Sequence, residues 1–176
     1  FSLGLLPTSD VVEIKAADGS TQRLTTRSIV IAAGAQPFVP PLPGIEEVGH
    51  VTSDTLWDAF AQLDAPPARL VVLGGGPIGC ELAQSFARLG SAVTQVEMAP
   101  RIMAREDAEV SELARQSLTR DGVDVRIGHK ALRCEREERD GAMHKYLVVE
   151  QGGVEQRIEF DALVCAVGRV ARLQGY

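Results

Sequence analysis

Two hydrophobic rhythms divide the chain. The apolar run at residues 70–73 (LVVL) enters a cluster of glycines, and Ile78, Leu82, Phe86 and Leu89 then recur at helical spacing until Gly90. Residues 92–97 (AVTQVE) read as the next strand. Residues 107–120 predict a helix with Val110, Leu113, Ala114 and Leu118 on one face, stopped by Gly122, and residues 123–127 (VDVRI) predict a third strand. The order βαβαβ implies an α/β fold with a parallel sheet covered by helices. Beyond residue 130 the period shortens to two. Residues 131–137, 144–150 and 154–160 are separated by Asp140-Gly141 and Gly152-Gly153. Val154, Gln156, Ile158 and Phe160 alternate with Glu155, Arg157 and Glu159, the pattern of an antiparallel meander with one wet face. Residues 162–167 (ALVCAV) are again continuously apolar and predict a strand returning to the central sheet.

The N-terminal third has a different texture. Residues 11–16 and 21–25 flank Asp18-Gly19 and predict a hairpin. Residues 28–33 (SIVIAA) end at Gly34 and predict a short buried strand. Four prolines among residues 37–43 remove donors and fix φ, so this stretch reads as an extended crossing between two domains. Thr52 and Ser53 then open a helix, with Ser53 as its cap and Leu56, Phe60 and Leu63 along one side, ended by Ala65-Pro66-Pro67.

Composition narrows the function. The 176 residues carry a net charge of −6, which argues against nucleic acid as a partner, since phosphate binding needs a basic face. No apolar run approaches the length of a membrane span, and the first residues lack the basic start of a signal peptide. The absence of an initial Met suggests an excised fragment. Cys80, Cys134 and Cys165 are far apart, which points to a reducing, cytoplasmic setting with no disulfide framework and no metal site. His50, His129 and His144 read as surface or loop residues.

The glycine cluster carries the candidate chemistry. Gly74, Gly76 and Gly79 fit G-x-G-x-x-G. The first permits the turn off the strand, the second lets a pyrophosphate approach the backbone, and the third lets helix and strand pack closely. Pro77 suits the first helical turn, and the helix N-terminus offers N–H groups to phosphate. Glu97 ends the second strand 18 residues beyond Gly79, where a carboxylate accepts bonds from ribose hydroxyls and repels a 2′-phosphate. That favours NAD over NADP. Arg101 is the one nearby cation for a 2′-phosphate, although a solvated or ion-paired loop residue explains it as well. The plain alternative is a structural turn beside a solvated Glu97.

GGGPIGCELAQSFARLGSAVTQVE, followed by MAPRIMAREDAEV, closely resembles the NAD(P)-binding domain of the pyridine nucleotide–disulfide oxidoreductases. SIVIAAGAQPFVPPLPG at 28–44 is similar to that family's strand ending in A-T-G, and DALVCAVGR at 161–169 to its strand ending in A-x-G-R. The resemblance implies a Rossmann-like sheet with a β-meander, plus a partial β segment from a split FAD domain. Residues 1–50 would close the first FAD-domain segment and make the crossing. Residues 51–168 would be the NAD-binding domain, and 169–176 the return toward FAD. It also implies site roles: Gly74, Gly75, Gly76, Pro77, Ile78 and Gly79 at the pyrophosphate, and Glu97 at the adenosine ribose. Ala131 falls at adenine, Glu81, Val167 and Gly168 near nicotinamide, and Ala33 and Gly34 against FAD.

The match is partial. Ala33 stands where the family has threonine, Pro77 where some relatives carry a gating tyrosine, and Ala171-Arg172 where the family has Pro-Asn. FSLGLLPTSD matches none of its motifs, and Cys80 reads as helix–sheet packing. No second G-x-G-x-x-G, no C-x-x-x-x-C, no flavin G-D motif and no dimerisation segment occur here. The expectation is the NADH-binding part of a homodimeric flavoprotein that passes hydride from NADH to FAD, with no catalytic residue of its own. Such a part would bind NADH weakly and be colourless. Two competitors remain: a stand-alone dinucleotide-binding or redox-sensing module, and FAD rather than NAD in the turn.

Overall fold

The hairpin at the start of the chain gains a third strand. In the computed structural model, which describes residues 2–5 and 10–174, β1 (Ser2–Leu5), β2 (Val11–Lys15) and β3 (Thr21–Thr25) pair antiparallel in that order. Asp18 shapes the β2–β3 turn by accepting from the backbone N–H and hydroxyl of Ser20, and Gly19 supplies φ +84°. Of the stretch that the family motifs left unplaced, β1 is a strand, while residues 6–9 lie outside the described residues.

The run 28–33 is not the buried strand its composition predicts. Val30 is 88% exposed, Ile29 and Ile31 are exposed too, and no described strand pairs with them. An apolar strand is buried only when neighbours satisfy its ladder and cover its faces; among the described residues none does.

The chain forms two compact units, one of residues Pro37–Arg169 and the other of Phe1–Gln36 with Val170–Tyr176. Both passages between them fall within short strands, β4 (Ala35–Pro37) and a later one that pairs with it. After the prolines, α1 (Ile45–Val48) drives Ile45 and Val48 into the core of the larger unit. That unit therefore begins before the expected division at residue 50. β5 (Val51–Thr52) and α2 (Leu56–Phe60) follow. Ser53 does not cap α2: Thr55 takes that position, while the Ser53 hydroxyl donates to Asp54. Leu56 is buried, but Leu63 lies past the helix and is 49% exposed.

The βαβαβ segment is realised as β6 (Arg69–Leu73), α3 (Pro77–Arg88), β7 (Ala92–Glu97), α4 (Ala108–Arg120) and β8 (Asp124–Ile127). The meander follows as β9 (Lys130–Arg139), β10 (Ala142–Gln151) and β11 (Val154–Phe160). Then β12 (Ala162–Cys165) inserts into the parallel sheet, whose order is β5-β12-β6-β7-β8, and β13 (Arg169–Ala171) pairs with β4. The last two residues of the expected return lie outside the described residues.

The two long helices α3 and α4 share one face of this sheet, while short α1 lies with the meander on the other. From β6 to β8 the chain steps in one direction, so two crossovers of the same hand place α3 and α4 on the same side. The meander takes the other side. Strand alternation sorts the side chains accordingly: Leu70, Val72 and Val93 pack with Leu82, Ala83 and Phe86 of α3, while Val71, Leu73 and Val96 pack with Leu147, Val149 and Phe160 of the meander. Each fully buried aliphatic side chain contributes about 1.5–3 kcal/mol.

Two faces differ in detail from the sequence pattern. In α4 the buried stripe is Ser111 and Leu118 with Ala114 partly covered, while Val110 and Leu113 face outward. The meander's wet face is wet only at its surface. Tyr146 and Val148 are buried on it beneath arginine stems, with Arg157 stacked 3.9 Å over the Tyr146 ring and Arg133 paired to Glu135 and Glu155.

Candidate functional site

The glycine turn stands at the carboxyl end of β6, where the sheet's connectivity reverses: β7 and β8 lie to one side, β12 and β5 to the other. Open α/β sheets form their ligand crevice at such a switch point. Gly74 turns the chain at φ +116°, and a side chain there would strike the Ala166 carbonyl. One at Gly79 would strike the Gly74 carbonyl, so close packing of α3 on β6 depends on that glycine. Gly76 is different. Its φ is −75°, and an added Cβ would meet nothing within 4 Å. Nothing in the chain itself requires a glycine there; its bareness opens a space in front of the helix. Gly76 caps α3 without a side chain, Pro77 occupies the first turn, and the Ile78 and Gly79 amides have no intrahelical carbonyl to reach.

Glu97 is tied to this turn. Its Oε2 accepts from the Gly75 N–H at 2.6 Å and its Oε1 from the Ala99 N–H at 2.7 Å. The solvated-glutamate alternative is therefore set aside. The loop after β7 is fastened over the turn as well. Met103 N–H donates to the Gly75 carbonyl at 2.6 Å, Ile102 is fully buried, and the Ser111 hydroxyl of α4 donates to the Ile102 carbonyl at 2.6 Å. Arg101 has no ion pair among the described residues: its guanidinium donates, at the surface, to the carbonyls of Ala104 and Glu106.

Val167 and Gly168 follow the end of β12, with Ala166 against Gly74, so these positions come together with the turn. Glu81 projects from α3 into solvent, and no described residue pairs with its carboxylate. Ala131 is the second residue of β9, partly buried against the meander-side core. Ala33 and Gly34 are exposed and belong to the smaller unit.

The thiols and imidazoles depart from their simple readings. Cys80 is buried, but it does more than pack: its thiol approaches the Gly75 carbonyl at 3.6 Å, and burial raises its pKa. Burial likewise pushes Cys134 up to about 11 and Cys165 up to about 12, so both stay protonated at neutral pH. His129 lies in a loop yet is buried, its Nδ1 2.8 Å from the Ile127 carbonyl. His144 is a strand residue 2.5 Å from Glu159. The residue that the motifs passed over is Gln95, fully buried directly behind the turn. Its one signal was a polar residue inside the apolar run AVTQVE. A cavity of about 240 Å³ beside His50, Lys145, Asp161 and Ala162 lies at the amino ends of β5 and β12, the far end of the sheet from the turn.

These features define an α/β protein with a Rossmann-like parallel sheet and a glycine-rich turn at its switch point. The chain belongs to the pyridine nucleotide-disulphide oxidoreductase family, whose model matches residues 4–176. It is 38% identical to a dihydrolipoyl dehydrogenase of Thermus scotoductus over 152 residues, 85% of this chain and 31% of the relative. It is 34% identical to a mercuric reductase of Staphylococcus aureus, across 90% of this chain and 27% of that protein. Among solved structures it is similar to the HOCl-induced flavoprotein disulfide reductase RclA of Escherichia coli, with a TM-score of 0.69 at 29% identity over 94% of this chain and 35% of the other. The chain thus spans about a third of the length of such relatives.

Proposed function

We propose that this chain is the NAD(H)-binding portion of an FAD-dependent pyridine nucleotide–disulfide oxidoreductase and presents NADH for hydride transfer to FAD. The observation that carries this is the opening at Gly76: a bare backbone before the N-terminus of α3, at the sheet's switch point, with a carboxylate alongside. The N-terminus of a twelve-residue helix attracts the negative charge of a pyrophosphate.

In this reading Gly74, Gly75, Gly76, Pro77, Ile78 and Gly79 hold the pyrophosphate. Glu97 receives the adenosine ribose; each of its oxygens keeps a lone pair beyond the bond it already accepts. Its charge disfavours a 2′-phosphate, and Arg101, spent on carbonyls of its own loop, offers no ready compensation. Ala131 faces adenine, and Glu81, Val167 and Gly168 border the nicotinamide. The bound nicotinamide supplies the hydride. Ala33 and Gly34 belong to the FAD side, and the partners are the FAD and dimerisation domains of a homodimeric, cytoplasmic parent enzyme.

Isothermal titration of this chain with NADH and NADPH tests the reading. Saturable NADH binding that is tighter than NADPH binding is the expected result. Tighter NADPH binding refutes the role given to Glu97, and binding of neither nucleotide refutes the proposal.

A further inference from the structure

Gln95 is an expensive residue for its position. It is completely buried in the middle of a parallel strand, and its Oε1 has no hydrogen-bond partner. A buried amide oxygen without a donor is costly, and an apolar side chain of equal size carries no such penalty. The other half of the amide shows what the residue does. Gln95 Nε2 donates to the Gly74 carbonyl at 3.1 Å and lies 3.5 Å from Cys80 Sγ. The reverse orientation of the amide would set its oxygen against the Gly74 oxygen.

The Gly74 carbonyl and the Gly75 N–H belong to one peptide group, and in a trans peptide they point to opposite sides. Glu97 Oε2 takes the N–H end of this group. Gln95 and Glu97 are two residues apart on one strand and so share a face. β7 therefore grips the Gly74–Gly75 peptide at both ends. The next peptide is gripped at its carbonyl, where Gly75 accepts from Met103 N–H and the Cys80 thiol. Its N–H end, on Gly76, is consequently turned away from Met103 and Cys80, and no described residue accepts from it.

We propose that Gln95 is a positioning residue for the nucleotide: with Glu97 it sets the rotation of the Gly74–Gly75 peptide, and thereby aims the Gly76 amide at the pyrophosphate. This rests on the nucleotide reading above and adds to it a residue outside the glycine motif. Replacing Gln95 by an apolar residue leaves the Gly74 carbonyl buried without a donor, and the peptide is then held at its N–H end alone, by Glu97.

The test uses Gln95→Met, with Gln95→Leu as a second variant. NADH affinity is measured by titration, and the exchange of individual glycine amides by NMR. The expected result is an affinity loss of about tenfold, with Gly75 amide exchange accelerated about tenfold and the amides of β10 unchanged. The intact wild-type chain supplies a reading that needs no variant to fold: the Gln95 side-chain NH2 exchanges far more slowly than that of an exposed glutamine. Variants that bind NADH as the wild type does, with Gly75 exchange unaltered, overturn the role. So does a Gln95 NH2 exchanging as fast as an exposed one. A wild-type chain that binds neither nucleotide removes the reading of the site, and the role toward a ligand with it, while the amide data still report whether the grip on the turn exists.

Discussion

At Gly76 and Gly79 the same substitution has opposite consequences. An alanine at Gly76 meets no atom of the protein and suits the backbone there, so Gly76→Ala is expected to change stability by less than about 0.5 kcal/mol. Its methyl group nevertheless enters the space assigned to the pyrophosphate, and NADH affinity is expected to fall at least tenfold, about 1.4 kcal/mol. Gly79→Ala drives a methyl group into the Gly74 carbonyl and is expected to cost about 1–3 kcal/mol of stability as well as binding. Thermal melting beside titration separates the two; equal melting shifts contradict the assignment. Glu97→Ala removes acceptors from Gly75 and Ala99 together. It is expected to weaken NADH binding and to shrink the preference over NADPH. An unchanged preference ratio between the two nucleotides in that variant contradicts the charge argument.

Between elements, β12 is held beside β6 by more than its ladder. Arg69 N–H and its guanidinium both donate to Asp161, whose own N–H donates to the Arg69 carbonyl. The bond from Arg69 holds the Asp161 carboxyl below the usual carboxylate range; Glu159 is lowered too, first by His144 and then by Arg69. A depressed folded pKa gives stability that is present above the unfolded value and is lost as pH falls through the folded one. The loss therefore falls on the acid side, below about pH 4. Solvent screening limits the Arg69–Asp161 pair to about 1 kcal/mol. Arg69→Met is expected to lower Tm by about 2–4 °C at pH 7 and to flatten its decline in acid. Parallel Tm-against-pH curves for the two proteins contradict this linkage. The element scale also shows where amphipathic counting misleads. Val110 and Leu113 fit a helical stripe, yet α4 buries Ser111, because the Ile102 carbonyl beneath it needs a donor.

For the whole molecule, the sharpest expectation concerns colour. If the FAD contacts of the parent enzyme lie mainly outside this third of its relatives' length, the purified chain is colourless while still binding NADH. A visible-range flavin spectrum that survives gel filtration contradicts that division. Much of this architecture was legible in the chain. Short apolar runs, glycine stops and a switch to period two suffice for four of the five parallel strands (β6, β7, β8 and β12), α3 and the meander, because these signals come from neighbours in sequence; β5 falls where the sequence reads as the start of a helix. The run 28–33 was not legible in the same way. Ile29, Val30 and Ile31 have the composition of a buried strand, but burial depends on what packs against them, and a strand's own residues do not specify that. The site divides along the same line. G-x-G-x-x-G and an acid 18 residues on are local spacings, whereas Gln95 and Met103 reach the turn only after β7 lies beside β6.

The sequence by itself determined the order of strands and helices from β6 to β12, the place of the glycine turn and the kinship with a redox family, since each depends on residue type and spacing. Tertiary structure alone decided which face of the sheet α3 and α4 cover, which carbonyls of the turn are held inward, and that Glu97 and Gln95 grip one peptide group from the same strand. Those are relations between segments distant in the chain. Hydrogen bonds acting over about 3 Å have no counterpart in sequence until packing brings their donors and acceptors together.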